Sequence, residues 1–214
     1  MKKSELLKLI FQKTFLFFEK HGFTPNAKRD KWTRIDERFI DQFEIVLGPG
    51  FGSGLNHHVR ISFTERRVSE LFKDVESVIR IAMDSVPYEK LRPTASVSDW
   101  KDIIGPQRGD NYVWFCNSER MLSDPDFSGR YFELITLGVK WFELLRNYDH
   151  LKAANFQRGL TIPMENYLVT VKIFEPDELL REYRNLILRN EQWKGWDRRE
   201  VELFFHELMV VRSA

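Results

Sequence analysis

The sequence is poor in the features that define several classes of protein. It has one cysteine, Cys116, so no disulfide can form within the chain, which favours a reducing compartment. No segment approaches the roughly 18 consecutive apolar residues that a transmembrane helix needs. Charged residues such as Lys8 and Lys13 interrupt the apolar run near the N-terminus, which argues against a signal peptide. We therefore expect a soluble, cytoplasmic protein.

The sequence also lacks an excess of charge of either sign. Lys and Arg number 33 and Asp and Glu number 32, for a net charge of +1. A groove for nucleic acid usually needs clustered cations, whereas short basic groups such as Lys28–Arg29 have acidic residues nearby. Nucleic-acid binding is therefore disfavoured. No cofactor fingerprint and no metal-ligand spacing occurs either, so we expect no cofactor and no metal.

Aromatic residues, in contrast, are abundant. The chain has 18 Phe, 6 Trp and 6 Tyr, and each such side chain can bury about 150–250 Å². A chain of 214 residues can therefore bury a large core without disulfides. We expect a single domain over residues 1–214, which can divide into a mixed subdomain, 1–118, and a helical subdomain, 127–214.

Apolar residues recur at three- and four-residue spacing in several segments, which predicts amphipathic helices. The first covers residues 4–20, with Ser4 as its N-cap and Gly22 as its stop. The second covers residues 65–84, with Thr64 as its N-cap. Further helices are predicted from Asp126 or Ser128 to about residue 147 and over residues 149–156, 176–189 and 197–208.

Alternation of apolar and polar residues predicts strands at 39–47 and 57–63, joined as a hairpin, with shorter strands at 32–35 and 111–115. Residues 166–174 alternate like a strand but lie between predicted helices, so both structures stay open there. The expected fold class is α+β. It consists of an N-terminal helix and a small antiparallel sheet with a packed helix, followed by a mostly helical C-terminal half.

A glycine-rich loop, Gly48-Pro49-Gly50-Phe51-Gly52, connects the two strands of the hairpin. It resembles the nucleotide loop of protein kinases in part, but its spacing is one residue short and no matching lysine motif follows. It also lacks the Lys-Ser/Thr of a P-loop. Two interpretations stay open: a flexible hairpin turn, or a mobile binding loop in which Gly50 and Gly52 present Phe51 to a partner.

Two adjacent histidines, His57 and His58, lie on the second strand of the hairpin. Neighbouring strand residues point to opposite faces, so these two side chains cannot bind one metal ion. His58, Arg60 and Ser62 share a face, which is either a solvated strand face or a small patch that accepts an anion.

Three other features have a structural and a functional interpretation. Cys116 follows an apolar strand and is either an inert core residue or a nucleophile that needs a base from another element. His206 lacks the second histidine of a zinc-binding helix, which favours a structural role. Trp193 and Trp196 flank a short turn and either seal the C-terminal helices or form an exposed apolar patch for a partner.

The order of elements over residues 4–80 resembles that of a known group of proteins. A helix ends in His21-Gly22-Phe23, one strand ends at Gly48, and a second strand, Val59–Phe63, follows. This order is similar to that of small bacterial α+β domains of unknown function, some of which occur beside toxin and immunity genes. The resemblance implies an interaction or immunity-like role and offers no catalytic residues.

Two functional hypotheses follow. The first is a non-enzymatic protein-interaction domain, immunity-like or regulatory, with a protein partner. The alternative is a small-molecule-binding or hydrolytic enzyme with a pocket near the glycine-rich hairpin, where His58, Arg60 and Cys116 would converge.

Overall fold

A computed structural model describes residues 2–49, 55–83, 85, 93–97, 114–116, 124–157, 164–189 and 198–210. Its N-terminal part contains α1 (Lys3–Lys20), β1 (Thr24–Pro25), β2 (Lys31–Ile35), β3 (Phe39–Pro49), β4 (Leu55–Glu65), α2 (Arg66–Ala82), β5 (Ala95–Val97) and β6 (Trp114–Cys116). Its C-terminal part contains α3 (Pro125–Leu145), α4 (Tyr148–Gln157), α5 (Met164–Phe174), α6 (Asp177–Arg189) and α7 (Arg198–Val210). The expected α+β class, with a helical C-terminal half, is confirmed.

The chain is grouped by its internal contacts into two units. The first contains Met1–Phe63 and Ala95–Arg146, and the second contains Thr64–Thr94 and Asn147–Ala214. The predicted single domain and its subdomains at 1–118 and 127–214 stay predictions. None of the described helices is long and apolar enough to cross a membrane.

The sheet has the strand order β1-β2-β3-β4-β5, and β6 also pairs with β4. β2 and β3 are antiparallel, with Trp32 opposite Phe43, which confirms the predicted short strand beside the hairpin. Alternate residues of β3 are buried, as period-two patterning requires when one face of a sheet covers a core. Aromatic rings fill this core: Phe43 packs against Phe18 at 5.0 Å and against Phe142 at 5.2 Å between ring centroids.

Helix α1 ends at Lys20 with His21 as its C-cap, immediately before the glycine that the sequence indicates. Gly22 has φ +77°, in the left-handed region that favours glycine. The N–H of Phe23 donates to the Phe18 carbonyl at 2.9 Å, and the two rings are in contact. The predicted Ser4 N-cap is wrong, because Lys2 holds the extended cap position and its N–H donates to the Glu5 carboxylate at 2.8 Å.

The N-cap of α2 differs from the prediction as well. Thr64 belongs to β4, and the cap is the next residue, Glu65. Its fully buried carboxylate accepts hydrogen bonds from the Val68 N–H at 2.7 Å and from Arg67 Nε at 3.0 Å. A glutamate can satisfy the first turn of a helix as a threonine does, and its negative charge also suits that end.

The open question at residues 166–174 is resolved in favour of a helix, α5. Five consecutive residues, Leu168 to Lys172, are buried within the second unit. A helix that is apolar on most sides shows no clear helical period, which explains why its sequence also fits a strand. The core of this unit contains Val68, Phe72, Val75, Leu168, Val169, Val171, Leu180, Val201, Phe204, Phe205 and Leu208.

A charged residue lies in the core of the first unit. Asp41 is 0% exposed on the inner face of β3, where its neighbours on the same face, Phe39 and Phe43, are aromatic. Its Oδ2 atom accepts hydrogen bonds from Arg34 Nε and from Arg146 Nη2, each at 2.8 Å. Because a buried carboxylate requires compensating charge, these two guanidiniums are what allow Asp41 to be buried.

The two arginines extend this network to other elements of the unit. Arg34 also donates to Glu143 at 2.6 Å, and Arg146 donates to the Phe142 carbonyl at 3.0 Å. Both guanidiniums lie about 5 Å from an aromatic ring centroid, Arg34 over Phe23 and Arg146 over Phe39. The carboxylate of Asp41 therefore joins β2, β3 and the end of α3 in one polar cluster.

We expect Asp41→Asn to lower the free energy of unfolding by about 2–4 kcal/mol, because two guanidiniums lose the charge that compensates them. A fully buried ion pair would lose more free energy of unfolding, but both arginine side chains here keep some contact with water. Urea denaturation measures the change. Glu143→Gln, at a side chain that is 53% exposed, is the control and should change stability by less than about 1 kcal/mol. Equal effects of the two substitutions would contradict the central role of Asp41.

Glu65→Ala should destabilise the protein by about 1–2 kcal/mol, because the first turn of α2 loses its acceptor. Glu70→Ala, at an exposed position on the same helix, is the matched control. Urea denaturation compares the two variants with the parent, and an indistinguishable midpoint for Glu65→Ala would show that Glu65 contributes nothing as a cap.

Candidate functional site: the outer face of the sheet

The sheet face opposite the aromatic core carries mostly polar side chains. Along β3, buried residues such as Phe43 alternate with half-buried ones, and β4 alternates in the same way from His57 to Arg60, so the two faces differ in polarity. Ser62, farther along β4, lies on the outer side but is buried. All of these strands belong to the first unit up to Phe63. The outer surface, which we call the polar face, contains Lys31, Thr33, Gln42, Glu44, His58, Arg60 and Ser62.

A row of charges crosses three strands of the polar face. Lys31 on β2 is the register partner of Glu44 on β3. On the other side, Arg60 of β4 forms an ion pair with Glu44 at 3.4 Å between Nη1 and Oε2. The charges of this row are therefore positive, negative and positive, in order across the three strands. The Arg60 and Glu44 side chains are 48% and 36% exposed, so their charges are accessible from solvent.

A second row contains neutral hydrogen-bonding groups. Gln42 Nε2 donates to Thr33 Oγ1 at 3.5 Å, and Ser62 Oγ donates to Gln42 Oε1 at 3.3 Å. The Gln42–Ser62 and Glu44–Arg60 contacts fit one antiparallel register of β3 and β4. In that register His58 lies opposite Val46, on the far side of the charged row.

His58 lies beside the Arg60 end of the charged row, and its pKa is lowered. Burial is the main cause that lowers the pKa of His58, and the charge of Arg60 lowers it further. The carboxylate of Glu44 acts in the opposite direction but more weakly than Arg60. The structure places His58, Arg60 and Ser62 on one face, as the strand pattern requires, and their role in binding stays a prediction.

His57 lies on the other face of β4, in the core. Its ring is fully buried and stacks on Tyr131 of α3 at 5.4 Å between centroids. Burial, with a smaller contribution from His58, lowers the pKa of His57 to about 3, so the imidazole is neutral at physiological pH. His57 and His58 therefore cannot bind one metal ion together. Among the residues that the structure describes, no group of three His, Cys, Asp or Glu side chains could hold a metal.

Several residues predicted to form a site lie outside the described residues. These are Gly50, Phe51 and Gly52 of the glycine-rich loop and the two tryptophans, Trp193 and Trp196. The backbone of Cys116 is described, and it pairs with Leu55 at the start of β4. The proposed convergence of Cys116 with His58 and Arg60 in a pocket stays a prediction.

A shallow apolar depression lies between α1 and α3 of the first unit. It holds about 10 Å³, about the room of one water molecule, whereas ligand pockets usually enclose several hundred cubic ångströms. It is therefore too small for a substrate or cofactor. Its lining consists of Ile10, Lys13, Thr14, Phe127, Ser128, Tyr131 and Phe132.

No protein-family model, no curated protein and no solved structure matches this chain. The resemblance of residues 4–80 to small α+β domains therefore stays a prediction.

The buried His57 makes stability depend on pH. A histidine in the unfolded chain has a pKa of about 6.5, whereas that of folded His57 is about 3. The unfolded state therefore binds a proton first, and stability should fall as the pH decreases from about 6.5 towards 3. His57→Phe, which keeps a ring against Tyr131, should reduce this loss. Urea midpoints at pH 7.5, 5.5 and 4.5 measure it, and the exposed His150→Gln is the control. An unchanged pH dependence in His57→Phe would contradict the assignment.

Proposed function

We propose that this chain is a non-enzymatic protein-interaction domain, immunity-like or regulatory, which binds a partner protein through the polar face. We also propose the cytoplasm as its location. The observation that supports this function best is the charged row, in which Glu44 lies between Lys31 and Arg60 on the accessible side of the sheet.

The charges of this row can be used for binding at little cost to the fold. Exposed ion pairs contribute only about 0.2–1 kcal/mol, and the 3.4 Å contact of Arg60 with Glu44 is long for such a pair. A partner can therefore displace or share it with a loss of stability no greater than that contribution. Lys31 has no carboxylate within ion-pair distance among the described residues, so its ammonium group is available.

The geometry of the polar face also suits a protein more than a small ligand. It combines hydroxyl, amide and charged groups over three strands, and apolar side chains, Ile35 and Ile40, continue it at one end. Ile35 is 66% exposed. Protein interfaces have this mixture of apolar surface and hydrogen-bonding groups, and arginine is among the residues that contribute most to their affinity.

Buried charges elsewhere in the chain serve the structure. Asp41 is neutralised by two arginines, and Glu65 caps α2. In the second unit, the buried Lys172 donates to Asp177 at 2.8 Å, which links α5 to the start of α6. These groups are engaged in ion pairs and hydrogen bonds within their own unit, which favours a structural role over acid–base chemistry.

The proposed function predicts that partner capture depends on Arg60. A tagged chain should recover a protein partner from a lysate of its native cells, and Arg60→Glu should reduce the recovery about tenfold, because the positive end of the row becomes negative. Quantitative mass spectrometry of the captured proteins measures this ratio.

The matched control is Arg130→Glu, which makes the same charge change at an exposed position of α3 outside the polar face. It should capture the partner as the parent does. Equal recovery by Arg60→Glu and the parent, or no specific partner with the parent, would refute the proposed function.

A further inference from the structure

The charged row has a spacing that restricts the backbone of a partner. Neighbouring strands in a sheet lie about 4.7–4.9 Å apart, so the backbones of Lys31 and Arg60 are about 10 Å apart with Glu44 midway. A complementary partner must therefore present three side chains of alternating charge at steps of about 5 Å.

An α-helix meets this requirement better than an extended segment does. Residues i, i+3 or i+4, and i+7 share a helix face and lie about 5 and 10 Å apart along the axis. In an extended strand, residues on one face recur at about 6.7 Å, so the third would lie roughly 13 Å from the first. The extended segment would miss one end of the row.

We propose that the polar face binds a helix of the partner that lies across β2, β3 and β4. The helix carries an acidic residue at each end of a stripe and a basic residue at its centre. The acidic residues face Lys31 and Arg60, and the basic residue faces Glu44. This inference rests on the proposed function and specifies the chemistry of the partner at the same surface.

The surroundings of the charged row fit a helix as well. The neutral row of Thr33, Gln42 and Ser62 lies two residues along the strands, at about 6.7 Å, and its half-buried members, Thr33 and Gln42, offer hydrogen-bonding groups to one flank of the helix. Val46 and His58 lie on the other flank. Since a helix is about 10 Å wide, it would contact both flanks while its stripe covers the charges.

The exposure of Arg60 supports an acidic residue at its end of the row. Its side chain is 48% exposed and its Nη1 atom lies 3.4 Å from Glu44, so the guanidinium can also bind a carboxylate of the partner. A helix with the opposite stripe, basic at both ends and acidic at its centre, would meet like charges at all three positions. The charged row therefore discriminates between the two stripes.

Two labelled helical peptides of identical composition test the inference. One carries the stripe Glu–Lys–Glu, and the other carries Lys–Glu–Lys, with the displaced residues moved to the opposite side. Fluorescence anisotropy at about 10 mM salt, where the Debye length is about 30 Å, measures their affinities. The parent protein should bind the Glu–Lys–Glu peptide about tenfold more tightly than the other, and added salt should reduce the preference.

Reversal of the charged row should reverse the preference. The triple variant Lys31→Glu, Glu44→Lys, Arg60→Glu should bind the Lys–Glu–Lys peptide more tightly, whereas Arg130→Glu should behave like the parent. Circular dichroism and urea denaturation check that the triple variant is folded. If the triple variant is not folded, the single variant Arg60→Glu replaces it. That variant should lose most of the preference for the Glu–Lys–Glu peptide.

Four results would overturn the inference: no binding of either peptide, equal affinities, a preference unchanged in Arg60→Glu, or tighter binding of a single-stranded oligonucleotide. Its failure can be separated from failure of the proposed function. If partner capture requires Arg60 while the peptides are not distinguished, the protein-interaction function stands and the helical partner is wrong. If capture is insensitive to Arg60, the polar face is not the binding surface.

Discussion

The burial of one carboxylate constrains the whole first unit. Asp41 occupies a position of β3 at which the alternating pattern predicts an apolar side chain. Its burial is tolerated because Arg34 and Arg146 donate hydrogen bonds to its carboxylate. Arg34 is its register partner on β2, whereas Arg146 follows the end of α3. A slip of the β2–β3 register or a displaced end of α3 would leave a buried charge uncompensated. The pairing therefore selects one arrangement of strands and helix more sharply than apolar packing alone.

The polar face depends on the same register. With Asp41 held on the inner side of β3, the side chains of Gln42 and Glu44 must lie on the outer side. There, Glu44 meets Lys31 on one neighbouring strand and Arg60 on the other. A core that determines strand register so firmly provides rigid spacing for surface charges, and rigid spacing is what recognition of a patterned partner requires.

Features with a strong local signal could be predicted from the sequence. The periods of α1, β3, β4 and α2 were clear, and so was the stop at Gly22. Helix caps could not be predicted, because several residue types can accept the same hydrogen bonds. At the start of α2, Glu65 rather than Thr64 accepts them. The partners of Asp41 were also missed. A polar residue in the apolar alternation was the available signal, but Arg146 lies 105 positions away in the chain. For the polar face, His58, Arg60 and Ser62 followed from alternation within β4, whereas Lys31 and Glu44 required the cross-strand register.

Strand β4 continues into α2 without a loop, since Glu65 ends the strand and Arg66 begins the helix. No loop residues between β4 and α2 can therefore absorb a change in the length of the strand. With the α2 end of the strand fixed, one residue inserted between Arg60 and Ile61 would exchange the faces of the residues before it, bringing Arg60 to the aromatic inner face and Val59 to the outer face. A change of chain length within this strand is therefore costly unless the extra residue forms a bulge, whereas substitutions at alternate positions leave the two faces as they are.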